Sequence, residues 1–230
     1  MNRKVALLML CAAMLVTGLA FAKAKENSKP DKDYDFKAVK KIVVGPITSN
    51  DVDLGKVDAD RKPKIEAILK KSKENLKKNM IEGAKAAKTT IPFADKEAKK
   101  EPSTTLILKY NFEQFDNGNF LARAVPFAGK AKVKLHVLML NGQTKKVVAD
   151  VTGEGKTQGG AVLGGLDSEV LWTATNMANA EIYKYLEKKT GMEWSFWSGV
   201  TKGAKTGVKS TVDVVKEEKG EKDAWKKKKK

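Results

Sequence analysis

The chain has 230 residues, of which 45 are lysine or arginine and 28 are aspartate or glutamate, so that its formal net charge is +17. This length suits one ordinary domain with tails. The only cysteine, Cys11, lies near the amino terminus, which excludes disulfides, thiolate metal sites and cysteine nucleophiles from the rest of the chain. Arginine is scarce among these cations, and arginine suits bidentate recognition of phosphates and base edges, so the composition argues against specific nucleic-acid binding.

The first 22 residues have the order of a secretory signal peptide. Arg3 and Lys4 are followed by an apolar run, Val5–Gly18, and then by Ala20-Phe21-Ala22, which has small residues where a signal peptidase binds. We therefore expect an exported protein, periplasmic or secreted, that is cleaved after Ala22; the alternative is an uncleaved amino-terminal anchor. Cys11 follows large apolar residues, so it lacks the context of a lipid-attachment cysteine.

The first half of the mature chain predicts a strand and then a helix. After a flexible, charged leader at 23–35, the β-branched segment Phe36–Ile47 predicts a buried strand. From Asp60 to Lys88 the apolar residues recur at helical spacing, with Asp60 as the expected N-cap and Pro63 in the first turn. The predicted buried stripe consists of Ile65, Ile68, Leu69, Leu76, Met80 and Ala84, with lysines around the other face. Core packing is the main interpretation of this stripe, and a partner-binding helix is the alternative.

The second half predicts strands and a second helix. A connector at 89–102 precedes strands at 106–112, 131–139 and 147–152, with turns at Asp116–Asn119 and Asn141-Gly142, and the chain resumes after the first turn at Phe120–Val125. A glycine-rich stretch follows at 153–165, and its part at Gly159–Gly165 is interpreted as a mobile loop, or as a place where the backbone packs closely against a partner. A helix then starts near Asp167 or Ser168 and ends at Gly191.

These elements predict one α/β domain of the α+β type over residues 36–191. The order β-α-β-β-β-α indicates a small mixed or antiparallel sheet with two helices packed on one face, because each element has one apolar side to bury. An aromatic and then glycine- and lysine-rich segment follows at 192–215, and a disordered basic tail is expected at 216–230.

Motifs for catalysis or metal binding are incomplete. Gly155-Lys156-Thr157 resembles the end of a phosphate-binding loop, but the glycine required five residues earlier is Asp150. Asp31–Asp35 resembles the start of a calcium loop that then lacks its glycine and glutamate. His136 is the only histidine and lies on the wet face of a strand, so it is expected to be a surface residue. We therefore predict no catalytic, metal or cofactor site, with a paired-carboxylate hydrolase as the alternative.

Two carboxy-terminal features are candidate contact surfaces. Trp194, Phe196 and Trp197 could anchor at a membrane interface or cap an edge of the core. The five closing lysines could add attraction to an anionic membrane or polymer, or only keep the chain soluble. These lysines are Lys226, Lys227, Lys228, Lys229 and Lys230.

The segment from Tyr34 to Leu186 resembles the exported bacterial domain-of-unknown-function family 4410, many of whose members are lipoproteins. The resemblance rests on Tyr34-Asp35-Phe36 with Val39–Val44, on the Gly118 turn that leads to Arg123 and Gly129, and on strand 131–139 with Gly142. It implies fold-defining roles for Gly118, Arg123, Gly129 and Gly142, and a layout similar to small α/β domains of envelope assembly proteins. It implies no catalytic residues.

The sequence thus predicts a non-catalytic binding or assembly module of the cell envelope. Its expected partner is an envelope protein or an anionic polymer. Loss of Arg3 and Lys4 leaves a mature net charge of +15, which favours attraction to anionic surfaces; the alternative is that the lysines only keep the protein soluble. Peripheral contact with an anionic membrane is a further hypothesis. Such attraction should weaken with salt.

Overall fold

The computed structural model describes residues 24–118, 130–157 and 167–193. Within these ranges lie six strands, two α-helices and one 3₁₀ turn, Phe36–Ala38. The strands are β1 (Lys25–Glu26), β2 (Lys41–Thr48), β3 (Phe93–Ala94), β4 (Thr105–Asp116), β5 (Ala131–Asn141) and β6 (Val147–Thr157). The helices are α1 (Lys62–Ala87) and α2 (Asp167–Thr190). The predicted signal peptide, residues 120–125 and both carboxy-terminal segments beyond residue 193 lie outside the described residues.

All six strands form one mixed sheet with the order β1-β6-β5-β4-β2-β3. β2 runs parallel to β3 and β4, and the other pairs are antiparallel. A parallel neighbour requires a crossover, and α1 supplies it between β2 and β4. The tight Asn141-Gly142 turn was predicted, and it joins β5 to β6, with the Asn141 Oδ1 accepting the N–H groups of Gln143 and Thr144.

The main core lies between one face of the sheet and both helices, as the sequence predicted. On β5 the residues Ala131, Val133, Leu135, Val137 and Met139 alternate toward this core, and each is fully buried. All six residues of the predicted α1 stripe are buried there too. Because the helices share one face, the charged side chains of β5 lie on the opposite face of the sheet.

The start of α1 differs from its prediction. Asp60 was expected to be the N-cap, but the helix begins at Lys62, and Arg61 precedes it without a side-chain capping bond. The Asp58 carbonyl accepts the N–H groups of Arg61 and Lys62, which forms a turn ahead of the helix and shifts its start. Pro63 lies in the first turn, as predicted, and Lys88 ends the helix with a left-handed φ of 52°.

The predicted amino-terminal strand is also divided. Phe36–Ala38 is a 3₁₀ turn in which the Asp35 side chain accepts the Lys37 N–H, and only Lys41–Thr48 is a strand. Before this turn, the segment that the sequence treated as a flexible leader pairs with the sheet. Glu26 lies opposite Val151, and the Asn27 N–H donates to the Asp150 carbonyl. The pairing is made by main-chain groups, which every residue carries, and it satisfies the open edge of β6. The charged side chains of the segment therefore could not predict it.

Strand β6 is longer than predicted because two glycines continue it. Gly153 and Gly155 belong to β6 and pair with β5, although the sequence predicted that this strand ends at Thr152. A Cβ at Gly155 would lie 1.9 Å from the Ala174 carbonyl oxygen, and one at Gly153 would lie 2.2 Å from that of Ala178. Glycine at these two positions therefore allows the backbone of α2 to pack directly on the strand.

The opposite face of the sheet carries a small second cluster, Val43, Ile107 and Leu140, with Ala94 packed against it. Nearby, the buried Glu101 side chain holds the connector to the ends of β2 and β4. Its carboxylate accepts three hydrogen bonds: from the Lys41 ammonium at 2.7 Å, from the Ala98 N–H at 2.7 Å and from the Thr105 hydroxyl at 3.0 Å. The bond from Lys41, followed by that from Ala98, lowers the pKa of Glu101 from 4.5 to about 2.

Glu101 should therefore contribute to stability in a pH-dependent way. Because its folded-state pKa is depressed, its contribution is present above pH 4.5 and is lost as the pH falls toward 2. We expect Glu101→Gln to lower the free energy of unfolding by about 1–3 kcal/mol at neutral pH. The lower end applies if solvent around the partly exposed Lys41 screens the ion pair. Urea unfolding measured from pH 7 to pH 2 should show this difference shrinking with acid. A constant difference would contradict the ionic role of Glu101.

Candidate functional site

The residues that the sequence proposed as contacts or fold-defining positions are only partly described. Gly118 has a φ of 67°, and the Asp116 side chain accepts its N–H at 2.7 Å, as in a tight turn. A Cβ at Gly142 would lie 2.7 Å from the Thr105 Cβ and 2.8 Å from the Pro102 carbonyl oxygen, so a side chain there would clash. The remaining candidates lie outside the described residues: Arg123, Gly129, Trp194, Phe196, Trp197, and Lys226 to Lys230.

His136 lies on the open face of the sheet, as predicted, but it is held by carboxylates. Its Nε2 is 2.6 Å from the Asp150 Oδ1, and its Nδ1 is 3.5 Å from the Glu113 Oε1. Asp150 also accepts a hydrogen bond from the Asn27 amide at 2.7 Å. No group of three metal-binding side chains occurs in the described part of the chain. These contacts join β4, β5, β6 and the amino-terminal segment, which is a structural role.

A buried ionic cluster joins the beginnings of the two helices. The Arg61 Nη2 donates to both carboxylate oxygens of Asp167, at 3.0 and 2.9 Å, and the Asn117 amide donates to the same group at 2.8 Å. The Lys64 ammonium lies 3.8 Å away. Asp167 is 4% exposed, and its charge is balanced by these donors. Sequence reasoning identified Asp167 only as a helix start, and the scarcity of arginine was the one signal that could have singled out Arg61.

The outer surface of α1 is strongly basic. The helix contains eight lysines and three glutamates, an excess of five positive charges, while its apolar stripe faces the core. We call the outward-facing lysines the lysine face: Lys62, Lys64, Lys70, Lys71, Lys73, Lys77, Lys78 and Lys85. Lysines in such number on one helix create a positive potential that attracts anionic partners.

Part of the lysine face borders a groove between α1 and β2, which we call the α1–β2 groove. Its volume is about 730 Å³, which falls within the range of ligand pockets, about 300–1,000 Å³. Gly45, Pro46, Ile47 and Ile81 supply apolar surface. Its charged lining consists of Lys70, Lys73, Lys77, Lys78, Glu74, Glu82 and Asp95.

The groove exists because the sheet ends early on this side. β3 pairs with only Ile42 and Val43, so the following residues of β2 have no outer strand within the described ranges. The register between β2 and β4 shifts between Val44 and Ile47, around Gly45-Pro46. Pro46 has no N–H to offer an incoming strand. The Lys73 ammonium donates to the Ser49 hydroxyl at 3.0 Å and so ties α1 to the loop after β2.

Among the described residues, neither helix has the length and apolar character needed to cross a membrane.

Comparison with solved structures returned distant likenesses in fold. The PelC dodecamer from Paraburkholderia phytofirmans is 11% identical, with a TM-score of 0.34, over 68% of this chain and 96% of that chain. A variant of the same protein is 13% identical, with a TM-score of 0.31, over 68% and 95%. Protein XCC0632 from Xanthomonas campestris, of the family DUF330, is 12% identical, with a TM-score of 0.33, over 79% and 97%.

At such TM-scores these likenesses carry no argument about function or assembly. No family model matches the chain, and no curated protein matches it. Membership in family 4410 stays a prediction.

Proposed function

We propose that the chain is an exported, non-catalytic module of the bacterial cell envelope that binds an anionic partner through the lysine face of α1. The observation that carries this proposal is the excess of five positive charges on one outward-facing helix surface next to an open groove. The signal-like residues 1–22 support export. The resemblance to family 4410, with its similarity to envelope assembly proteins, supports a binding role.

A hydrolase with paired carboxylates has less support. Glu74 and Glu82, the two acidic residues of α1 in the groove, are eight residues apart on the helix, which places their Cα atoms about 12 Å apart along its axis. Glycosidases need two carboxyl groups about 5–9.5 Å from each other, whereas the Glu82 carboxylate lies 3.9 Å from the Lys78 ammonium. The lysines between these two glutamates instead favour attraction of an anion.

The proposal predicts that envelope binding depends on the position of the lysines and not only on their number. Lys70→Glu/Lys78→Glu should reduce retention on isolated envelopes at low salt by tenfold or more, because it reverses the local potential. Lys99→Glu/Lys100→Glu is the matched control, since it changes the net charge equally at exposed positions off α1. Cosedimentation of each purified protein with envelopes, at low and high salt, measures the effect.

Retention of the wild-type protein should fall at high salt, and the control should behave like the wild type. Equal loss in both double variants would show that net charge alone matters and would overturn the proposal. Flotation with anionic liposomes, with and without Lys226–Lys230, tests the separate hypothesis that the aromatic and basic carboxy-terminal segments bind a membrane.

A further inference from the structure

We infer that the α1–β2 groove binds a linear polysaccharide that carries carboxylate groups. This inference rests on the proposed function and names the class of its partner. It follows from three features of the groove: the spacing of its lysines, the acidic residues among them, and the chemistry of the β2 edge on its other side.

The lysines of the groove form a row along the helix. Lys70, Lys73 and Lys77 follow one another at spacings of three and four residues, so that they share one face of α1. Their Cα atoms are separated by about 4.5 Å and about 6 Å along the axis. A row of lysines at this spacing, of which Lys73 also donates to the Ser49 hydroxyl, matches a chain whose negative charges repeat at short, regular intervals. The partner is therefore expected to be extended along the helix.

The exposed acidic residues of the groove favour a partner that carries hydrogen-bond donors as well as negative charges, although Glu82 already lies 3.9 Å from the Lys78 ammonium. Glu74, Glu82 and Asp95 line the groove beside the lysines, and ionised carboxylates only accept hydrogen bonds. A polyphosphate or a similar dense polyanion has no donors to offer these carboxylates. An acidic polysaccharide carries hydroxyl donors between its carboxylates, so one chain satisfies both kinds of side chain.

The edge of β2 argues against an extended acidic peptide. A peptide gains affinity at a sheet edge by a ladder of main-chain hydrogen bonds. Pro46 lies in the middle of the open part of β2 and has no N–H to donate to such a ladder. What this side offers instead is an apolar surface, Pro46 and Ile47 with Ile81 across the groove, on which the C–H face of a sugar ring can lie.

The inference is tested with oligogalacturonate, a linear chain with one carboxylate on each sugar, as the probe. We expect saturable binding by titration calorimetry at low salt, and at least tenfold weaker binding after Lys70→Glu/Lys77→Glu. The Lys99→Glu/Lys100→Glu control should bind like the wild type, and thermal melts should confirm that all three proteins are folded. Neutral dextran should not bind, which shows that the carboxylates are recognised.

Two further probes decide between ligand classes. Polyglutamate and polyphosphate of similar charge should bind at least tenfold more weakly than oligogalacturonate, and equal binding of either would overturn the inference. If oligogalacturonate fails to bind while envelope retention still depends on Lys70 and Lys78, the proposed function stands and the polysaccharide assignment falls. If retention and oligogalacturonate binding are both unaffected by the α1 substitutions, both proposals fall.

Discussion

Replacing Gly155 by alanine is expected to destabilise the protein by at least about 3 kcal/mol, which is at the upper end of overpacking effects. The new Cβ would lie 1.9 Å from the Ala174 carbonyl oxygen and 2.7 Å from the Ala178 N. Both are main-chain atoms of α2, so no side-chain rotation relieves the contact. The helix would have to move away from β6 and lose part of the core that Ala174, Ala178 and Ile182 form there.

Equilibrium unfolding in urea measures this loss, and two variants serve as controls. Glu154→Ala changes the neighbouring residue of β6, which points to the open face, and should cost less than about 1 kcal/mol through its lysine contacts. Ala174→Gly should not rescue Gly155→Ala, because the clash is with the carbonyl oxygen and not with the alanine methyl group. Rescue by Ala174→Gly would contradict direct contact between the backbones of the strand and the helix. So would a loss of less than about 0.5 kcal/mol for Gly155→Ala, since that is the size of an ordinary surface change.

Replacing Arg61 by methionine should cost about 2–4 kcal/mol, because it leaves the buried Asp167 carboxylate without its closest cation. Methionine keeps much of the volume of the arginine stem, so lost packing contributes little. Lys64 is 3.8 Å from Asp167, and the Asn117 amide donates to it, so these residues should retain part of the stabilisation. The loss should appear as a lower urea midpoint with an unchanged dependence on denaturant.

The pair Arg61→Met and Asp167→Asn tests whether charge is the cause. In the double variant no buried charge is left uncompensated. Its loss of unfolding free energy should therefore be about 1–3 kcal/mol smaller than the sum of the losses in the two single variants. Additive losses would mean that Arg61 and Asp167 act independently. Since Asp167 begins α2 and Arg61 precedes α1, loss of this contact should also loosen the packing of the helix beginnings, which amide hydrogen exchange can detect.

The chain order of most elements could be predicted because each depends on a local repeat. The apolar stripe of α1 and the alternation in β5 both indicate which side of the element is apolar, and that side is the one buried in the core. The start of α1 could not be placed, because a turn closed by the Asp58 carbonyl competes with the expected Asp60 cap. The full length of β6 was not predicted either, because glycine in a sequence usually indicates a loop. Gly153 and Gly155 instead lie within the strand, where the missing side chain makes room for the backbone of α2.

The candidate site divides in the same way. By itself the sequence determined an apolar stripe on one side of α1 and lysines on the other, since side-chain chemistry and helical period suffice for both. Only the tertiary structure decided that those lysines border a groove, that Glu101 and Asp167 are buried with cationic partners, and that residues 25–27 complete the edge of β6. These features depend on where strands end and which distant residues meet, and contacts between residues far apart in sequence leave no periodic signal along the chain.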